Sequence, residues 1–99
     1  VNLSVYDEQG QWTLGRGGAP LARTGCLESE LRAALAEPKQ SYASLEKPLR
    51  ALLYWYGQAD LVVLLRQGRV VGFMLAEPGV MANSLPGAGF APEGSGLQH

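Results

Sequence analysis

Acid–base catalysis needs ionisable side chains gathered in a site from which water is largely excluded, and this sequence supplies few of them. Asp7 and Asp60 are the only aspartates, each at an expected turn or strand boundary, and the seven glutamates fall mainly on predicted helix faces or in loops. Turn chemistry and the affinity of helix N-termini for acidic groups already account for these positions. The single cysteine, Cys26, has one histidine to pair with, His99, the last residue of a glycine-rich tail. A thiol at a helix start can be activated, but a small residue entering a helix is the simpler explanation of Cys26. Gly94-Ser95-Gly96 lacks the spacing of a nucleophile elbow and follows no strand. Gly15, Gly17 and Gly18 do follow a strand, yet no Gly-Lys-Ser/Thr is present and the next helix lies several residues away, so they read as a loop and not a phosphate cradle. No catalytic residue, metal ligand or cofactor is expected.

Binding has better material. Arg66 and Arg69 flank one predicted hairpin turn, where like charges repel unless an anion or carboxylate sits between them. Arg16 and Arg23 bracket the glycine loop. In Tyr54-Trp55-Tyr56 only Tyr56 joins the apolar stripe of a predicted helix, which leaves Tyr54 and part of Trp55 to find contacts elsewhere. Such aromatics serve as interface anchors. These six residues, Tyr54, Trp55, Arg66, Arg69, Arg16 and Arg23, are the candidate ligand- or partner-binding set.

The composition narrows the classes. Ninety-nine residues make one domain, able to bury roughly 60–65% of the surface its unfolded chain exposes. A net charge of −1 lacks the basic excess of a nucleic-acid binder. One cysteine excludes an internal disulfide. No apolar run approaches the roughly 18 residues of a membrane span, so none is expected within the chain. The sequence opens at Val1, without methionine and directly on a strand pattern, as expected of an excised domain or processed product.

The elements that must position the candidates begin with Leu61–Ala76, two apolar strands folded back across Gln67-Gly68. Gly68 suits the positive φ of a two-residue turn, and a regular ladder would pair Leu65 with Val70, Leu64 with Val71, Val63 with Gly72 and Val62 with Phe73. With Arg66 and Arg69 its only charges, this hairpin is expected to be central and covered on both faces. A second hairpin, 2–14, alternates apolar and polar residues around Asp7–Gly10 and should lie nearer an edge. Leu27, Leu31, Ala34 and Leu35 recur at helical spacing, predicting a helix over 26–37 with Thr24 as a candidate cap. Pro48 at a first helical position, followed by Leu49, Leu52, Leu53 and Tyr56, predicts a helix over 47–56. Residues 39–47 read as a polar connection. Glu77–His99 is rich in glycine and proline and reads as a wrapping segment anchored by Val80, Met81, Leu85 and Phe90. The expected fold is α+β: an antiparallel sheet of at least four strands, from hairpins 2–14 and 61–76, with helices 26–37 and 47–56 packed on it. A single domain is expected over 1–90, with a flexible tail or linker over 91–99.

Val5-Tyr6-Asp7-Glu8-Gln9-Gly10-Gln11-Trp12 resembles the strand-turn-strand that opens the PAS-like (PDC) extracytoplasmic sensor domains of bacterial signalling receptors. Val62–Leu75, with Gly68 in the turn and Val71-Gly72-Phe73, is similar to their closing hairpin. The resemblance implies a non-catalytic sensory or ligand-binding domain with a small-molecule ligand and an extracytoplasmic location. Leu45–Ala76 is similar to the helix-and-hairpin layout of roadblock and longin domains. That likeness implies a homodimeric or partner-binding adaptor, which would be cytoplasmic.

Overall fold

The computed structural model describes residues 3–93. It is an α+β fold with two antiparallel sheets. Strands β1 (Leu3–Glu8), β2 (Gln11–Arg16) and β3 (Ala19–Arg23) form a small meander in the order β1-β2-β3. Strands β4 (Gln40–Ser44), β5 (Arg50–Trp55), β6 (Asp60–Arg66), β7 (Arg69–Ala76) and β8 (Phe90–Pro92) form a larger sheet in the order β7-β6-β5-β4-β8. Helix α1 (Glu28–Leu35) follows β3, and helix α2 (Val80–Gly87) lies between β7 and β8.

Side chains alternate across a strand, so the large sheet buries two separate cores. On one face Leu52, Tyr54, Leu61, Val63 and Leu65 pack with Leu14 of β2 and Leu31 and Leu35 of α1. On the other, Ala51, Leu53, Val62 and Tyr42 pack with Leu85, Met81 and Ala82 of α2. The molecule is three layers deep: the small sheet with α1, the large sheet, and the short α2.

The hairpin 61–76 forms as the sequence predicts, with Gln67 and Gly68 both in the left-handed region at φ 54° and 79°. Its register follows prediction only for the two pairs next to the turn, Arg66 with Arg69 and Leu65 with Val70. A bulge then shifts the ladder, so that Leu64 faces Gly72, Val63 faces Phe73 and Val62 faces Met74. An extra residue moves everything beyond it to the opposite face. Phe73 thereby joins the larger core, while Met74 turns to the α2 side and stays 40% exposed. The expectation that both faces of the whole hairpin are covered holds for β6 alone, because β7 is an edge strand. The first hairpin also forms, pairing Val5 with Leu14 and Asp7 with Trp12, and its Gln9-Gly10 turn is left-handed at both residues. It lies in the small sheet, apart from 61–76; the Asn2 end of the expected 2–14 span falls outside the described residues.

The segment 47–56 is not a helix. Arg50–Trp55 is strand β5, between β4 and β6, with its other side chains dividing between the two cores. A run apolar at nearly every position satisfies a helical stripe and a doubly buried strand alike, and its aromatic end favours the strand. Ser44 makes the preceding turn instead of a helix start, its Oγ accepting the backbone N–H of Lys47 at 2.9 Å. The polar connection contains β4, where only Tyr42 is buried. The chain after Gly15 continues as β2 and, across Gly17 and Gly18, turns into β3. The tail carries α2 and β8, with Met81, Leu85 and Phe90 as anchors and Val80 left 43% exposed. Helix α1 is the predicted helix, shorter at each end. Its cap is Leu27 and not Thr24, and the Glu30 carboxylate accepts the Leu27 backbone N–H at 2.8 Å. Residues 94–99, with Gly94-Ser95-Gly96, His99 and most of the expected 91–99 tail, lie outside the described residues.

Candidate functional site

Because 54–56 is extended and not helical, its three aromatic residues alternate. Tyr54 faces the larger core and is buried, its hydroxyl donating to the Ala36 carbonyl at 2.9 Å. Tyr56 lies on the same side, its ring stacked on that of Tyr54 at 6.3 Å between centroids, with the Arg16 guanidinium 5.6 Å from its own centroid. Burial pushes the Tyr54 phenol up to about 12. Trp55 points the other way and is 56% exposed, the outlier of an otherwise well-covered strand. The Lys39 ammonium lies 4.8 Å from the Trp55 ring centroid, a cation–π contact.

Two open clefts flank Trp55. One of about 400 Å³ is lined by Leu35, Glu37, Pro38, Lys39 and the three aromatics. The other, about 430 Å³, is lined by Trp55, Gly57, Asp60, Pro78 and Gly79. Ala36, between the lining residues Leu35 and Glu37 of the first cleft, has φ 72° and ψ −162°, a region nearly reserved for glycine that costs another residue about 1–3 kcal/mol. It is held there from both sides: its N–H donates to the Arg32 carbonyl at 2.7 Å, and its carbonyl accepts the Tyr54 hydroxyl. At the second cleft the buried Asp60 accepts the Gly79 N–H at 2.8 Å and so fixes the turn into α2.

The arginines do not converge on this site. Arg66 and Arg69 are cross-strand neighbours at the opposite end of β6 from Asp60, which pairs with Trp55, and both are exposed. Arg69 donates from Nη1 to the Gly25 carbonyl at 2.8 Å, tying the chain before α1 to the hairpin. Arg23 forms an ion pair with Glu8 at 3.0 Å. Of the six candidates, Tyr54 and Arg16 meet through Tyr56, and Trp55 stands on the reverse of the sheet from them.

The densest charge cluster is elsewhere. Arg50 grips Glu93 through Nε and Nη2 at 3.0–3.2 Å and Glu28 through Nη1 at 2.6 Å, while Arg32 pairs with Glu28 and Glu37. Burial alone would raise the Glu28 carboxyl, but hydrogen bonds from Arg50 and Arg32 hold it below the ordinary carboxylate range. Each charged group already has a partner within the cluster, which ties α1, β5 and the end of β8 together. Burial pushes the Cys26 thiol above its ordinary value, the reverse of an activated nucleophile. Among the described residues no three His, Cys, Asp or Glu side chains gather as metal ligands would, and no helix is long and apolar enough to cross a membrane.

Sequence reasoning missed Lys39, Ala36 and the apolar edge of β7. Val71, Met74 and Leu75 are 46%, 40% and 36% exposed, and Trp12 of β2, at 52%, lines a cleft of about 290 Å³ with Val5, Val71, Gly72 and Phe73. A signal for the edge was present, since one strand of a hairpin so apolar could have been terminal. Nothing in the pattern said which.

Compared with known proteins, the chain matches no family model, no curated protein and no solved structure.

Proposed function

We propose that the protein is a non-catalytic ligand-binding domain of the sensory kind, in keeping with a bacterial signalling protein, and that it takes its ligand at the surface beside Trp55. The observation that carries this reading is the exposure of Trp55, 56% on a strand whose other residues are mostly buried, between two open clefts and beneath a lysine ammonium. The space between the sheets is filled by side chains such as Leu14, Leu31 and Leu52, all 0% exposed, so a ligand has to bind from outside. Aromatic faces beside Lys39 suit a flat or apolar body carrying an anionic group. The strained Ala36, between two residues that line the first cleft, supports the same location.

Trp12→Phe leaves Trp55 as the only tryptophan, which makes the site its own reporter. Small molecules that raise the melting temperature in a library screen are expected to change Trp55 fluorescence and to lose their effect in Trp55→Ala and Lys39→Met. Compounds that stabilise Trp55→Ala as well as the parent would overturn the reading.

A second reading, a homodimeric or partner-binding interaction module, is favoured by a different observation, the uncovered apolar edge of β7. The roadblock layout lends it nothing, because the helix over 47–56 on which that likeness drew is strand β5 here.

A further inference from the structure

We propose that the cleft beside Asp60 binds the alkylammonium group of a small molecule, held between the Asp60 carboxylate and the Trp55 ring. The inference rests on the reading of Trp55 as a ligand surface, but needs neither Lys39 nor the first cleft, and it gives the second cleft a ligand of opposite charge.

Asp60 is the anomaly among the acidic side chains. A carboxylate withdrawn from water is ordinarily paired with a cation, because an unpaired buried charge is costly. Glu8, Glu28, Glu37 and Glu93 are all more exposed, and each forms an ion pair with an arginine. Asp60 is 3% exposed, yet among the described residues no lysine, arginine or histidine pairs with it. Its carboxylate accepts one hydrogen bond among those residues, from the Gly79 N–H to Oδ2 at 2.8 Å. Oδ1 has no donor there, although an ionised carboxylate has room for about four. The start of α2 offsets part of the charge, and no side chain offsets the rest.

The ladder brings the ring to this carboxylate. Trp55 and Asp60 are directly opposed across β5 and β6, so their side chains leave the sheet on the same face with Cβ atoms about 5 Å apart. Both line the cleft of about 430 Å³, whose other walls are Gly57, Pro78 and Gly79. Two of those walls carry no side chain, and a Cβ built on either would meet nothing within 4 Å. The cleft therefore presents one negative charge, one aromatic ring and an apolar rim, with no cationic side chain among its lining residues.

That combination selects an organic cation. The ring attracts positive charge through its quadrupole and the carboxylate through its own charge, while the methyl or methylene groups of an alkylammonium ion lie against the apolar rim. A bare metal ion would need several oxygen ligands, and no three His, Cys, Asp or Glu side chains gather among the described residues. An anionic group would be repelled by Asp60 and drawn to the first cleft, where Lys39 stands.

Tetramethylammonium chloride, titrated into the Trp12→Phe chain against sodium chloride at matched ionic strength, tests this through Trp55 fluorescence. The expected result is a saturable change with a midpoint below about 10 mM, and no such change with tert-butanol, a neutral molecule of similar size. Asp60→Asn keeps an oxygen for the Gly79 N–H but removes the charge, and is expected to raise the midpoint at least about tenfold. Cooperative melting shows that this variant folds, and the tert-butanol comparison needs no substitution at all. Lys39→Met removes a like charge from the neighbourhood and is expected to leave the midpoint unchanged or to lower it by up to about threefold. The anionic ligand of the first cleft should instead lose its effect in Lys39→Met, so the two readings fail separately. Absence of saturation below about 10 mM, an equal response to tert-butanol, an unaltered midpoint in folded Asp60→Asn, or a loss of binding in Lys39→Met each overturns the cation site and leaves the first cleft as proposed.

Discussion

Strands β6 and β7 belong to one hairpin and have nearly the same composition, yet they live in different environments. In β6 Leu61, Val62 and Val63 are all 0% exposed, whereas in β7 Val71, Met74 and Leu75 are exposed by a third to a half. Hydrophobicity cannot be the cause of the difference. Position is: β6 has a neighbour on each side and a layer on each face, and β7 has one neighbour along most of its length. An apolar run records what a strand can tolerate being buried against, and the order of strands decides whether it is buried.

The sharpest way to break this contrast is truncation. Leu61→Ala is expected to cost about 3–4 kcal/mol in urea unfolding and Val71→Ala less than about 0.5 kcal/mol. Similar losses at both would mean that β7 is covered after all. A slightly smaller effect tests the bulge. Phe73→Ala is expected to cost about 3 kcal/mol and Met74→Ala under about 1 kcal/mol, whereas the uninterrupted register would reverse their order.

Away from the hairpin, Tyr54→Phe is expected to cost about 1 kcal/mol by removing the bond to the Ala36 carbonyl. It should also flatten a pH dependence. Since the folded phenol is raised from 10.0 to about 12, its contribution is complete below the unfolded value and lost as pH rises through that interval. A stability profile equally steep in Tyr54→Phe would remove the assignment. Glu28 has the opposite sign: its folded value is lowered, so the stability it brings is present above the unfolded carboxylate value and lost as pH falls below it. Arg50→Met should reduce that acid sensitivity, read from melting temperatures across the acid range. Smallest of all, Gln67→Asn is expected to add a few tenths of a kcal/mol, because asparagine enters the left-handed region more easily than glutamine.

Both hairpins, α1 and the α+β class were legible because their signals are local. A Gln-Gly pair between apolar strands fixes a turn, and the spacing of Leu31 and Leu35 fixes a helix face. Strand β5 was not legible as such, since Leu49, Leu52, Leu53 and Tyr56 fit a helical stripe as well as a doubly covered strand, and only the neighbours β4 and β6 decide between them. The error carried into the site. Read on a helix, Tyr54 turns away from the apolar stripe with Trp55 on its flank; on a strand Tyr54 is interior and Trp55 bare. The bulge at Val71 carries no sequence mark beyond Gly72, so the faces of Phe73 and Met74 were exchanged. Lys39 meets Trp55 because β4 pairs with β5, with Gln40 opposite Leu53, and periodicity does not encode which strands are neighbours.

Helix α2 sets the order in which the fold comes apart. Eight residues, with Pro86 among them and the Asp60 carboxylate fastening the entrance, are the main cover over Tyr42, Leu53 and Val62. Lifting them parts no strand from its neighbour, so this flank is expected to be the first to admit water. Amide exchange should register it there, minutes or hours before the β5–β6 pairing gives way.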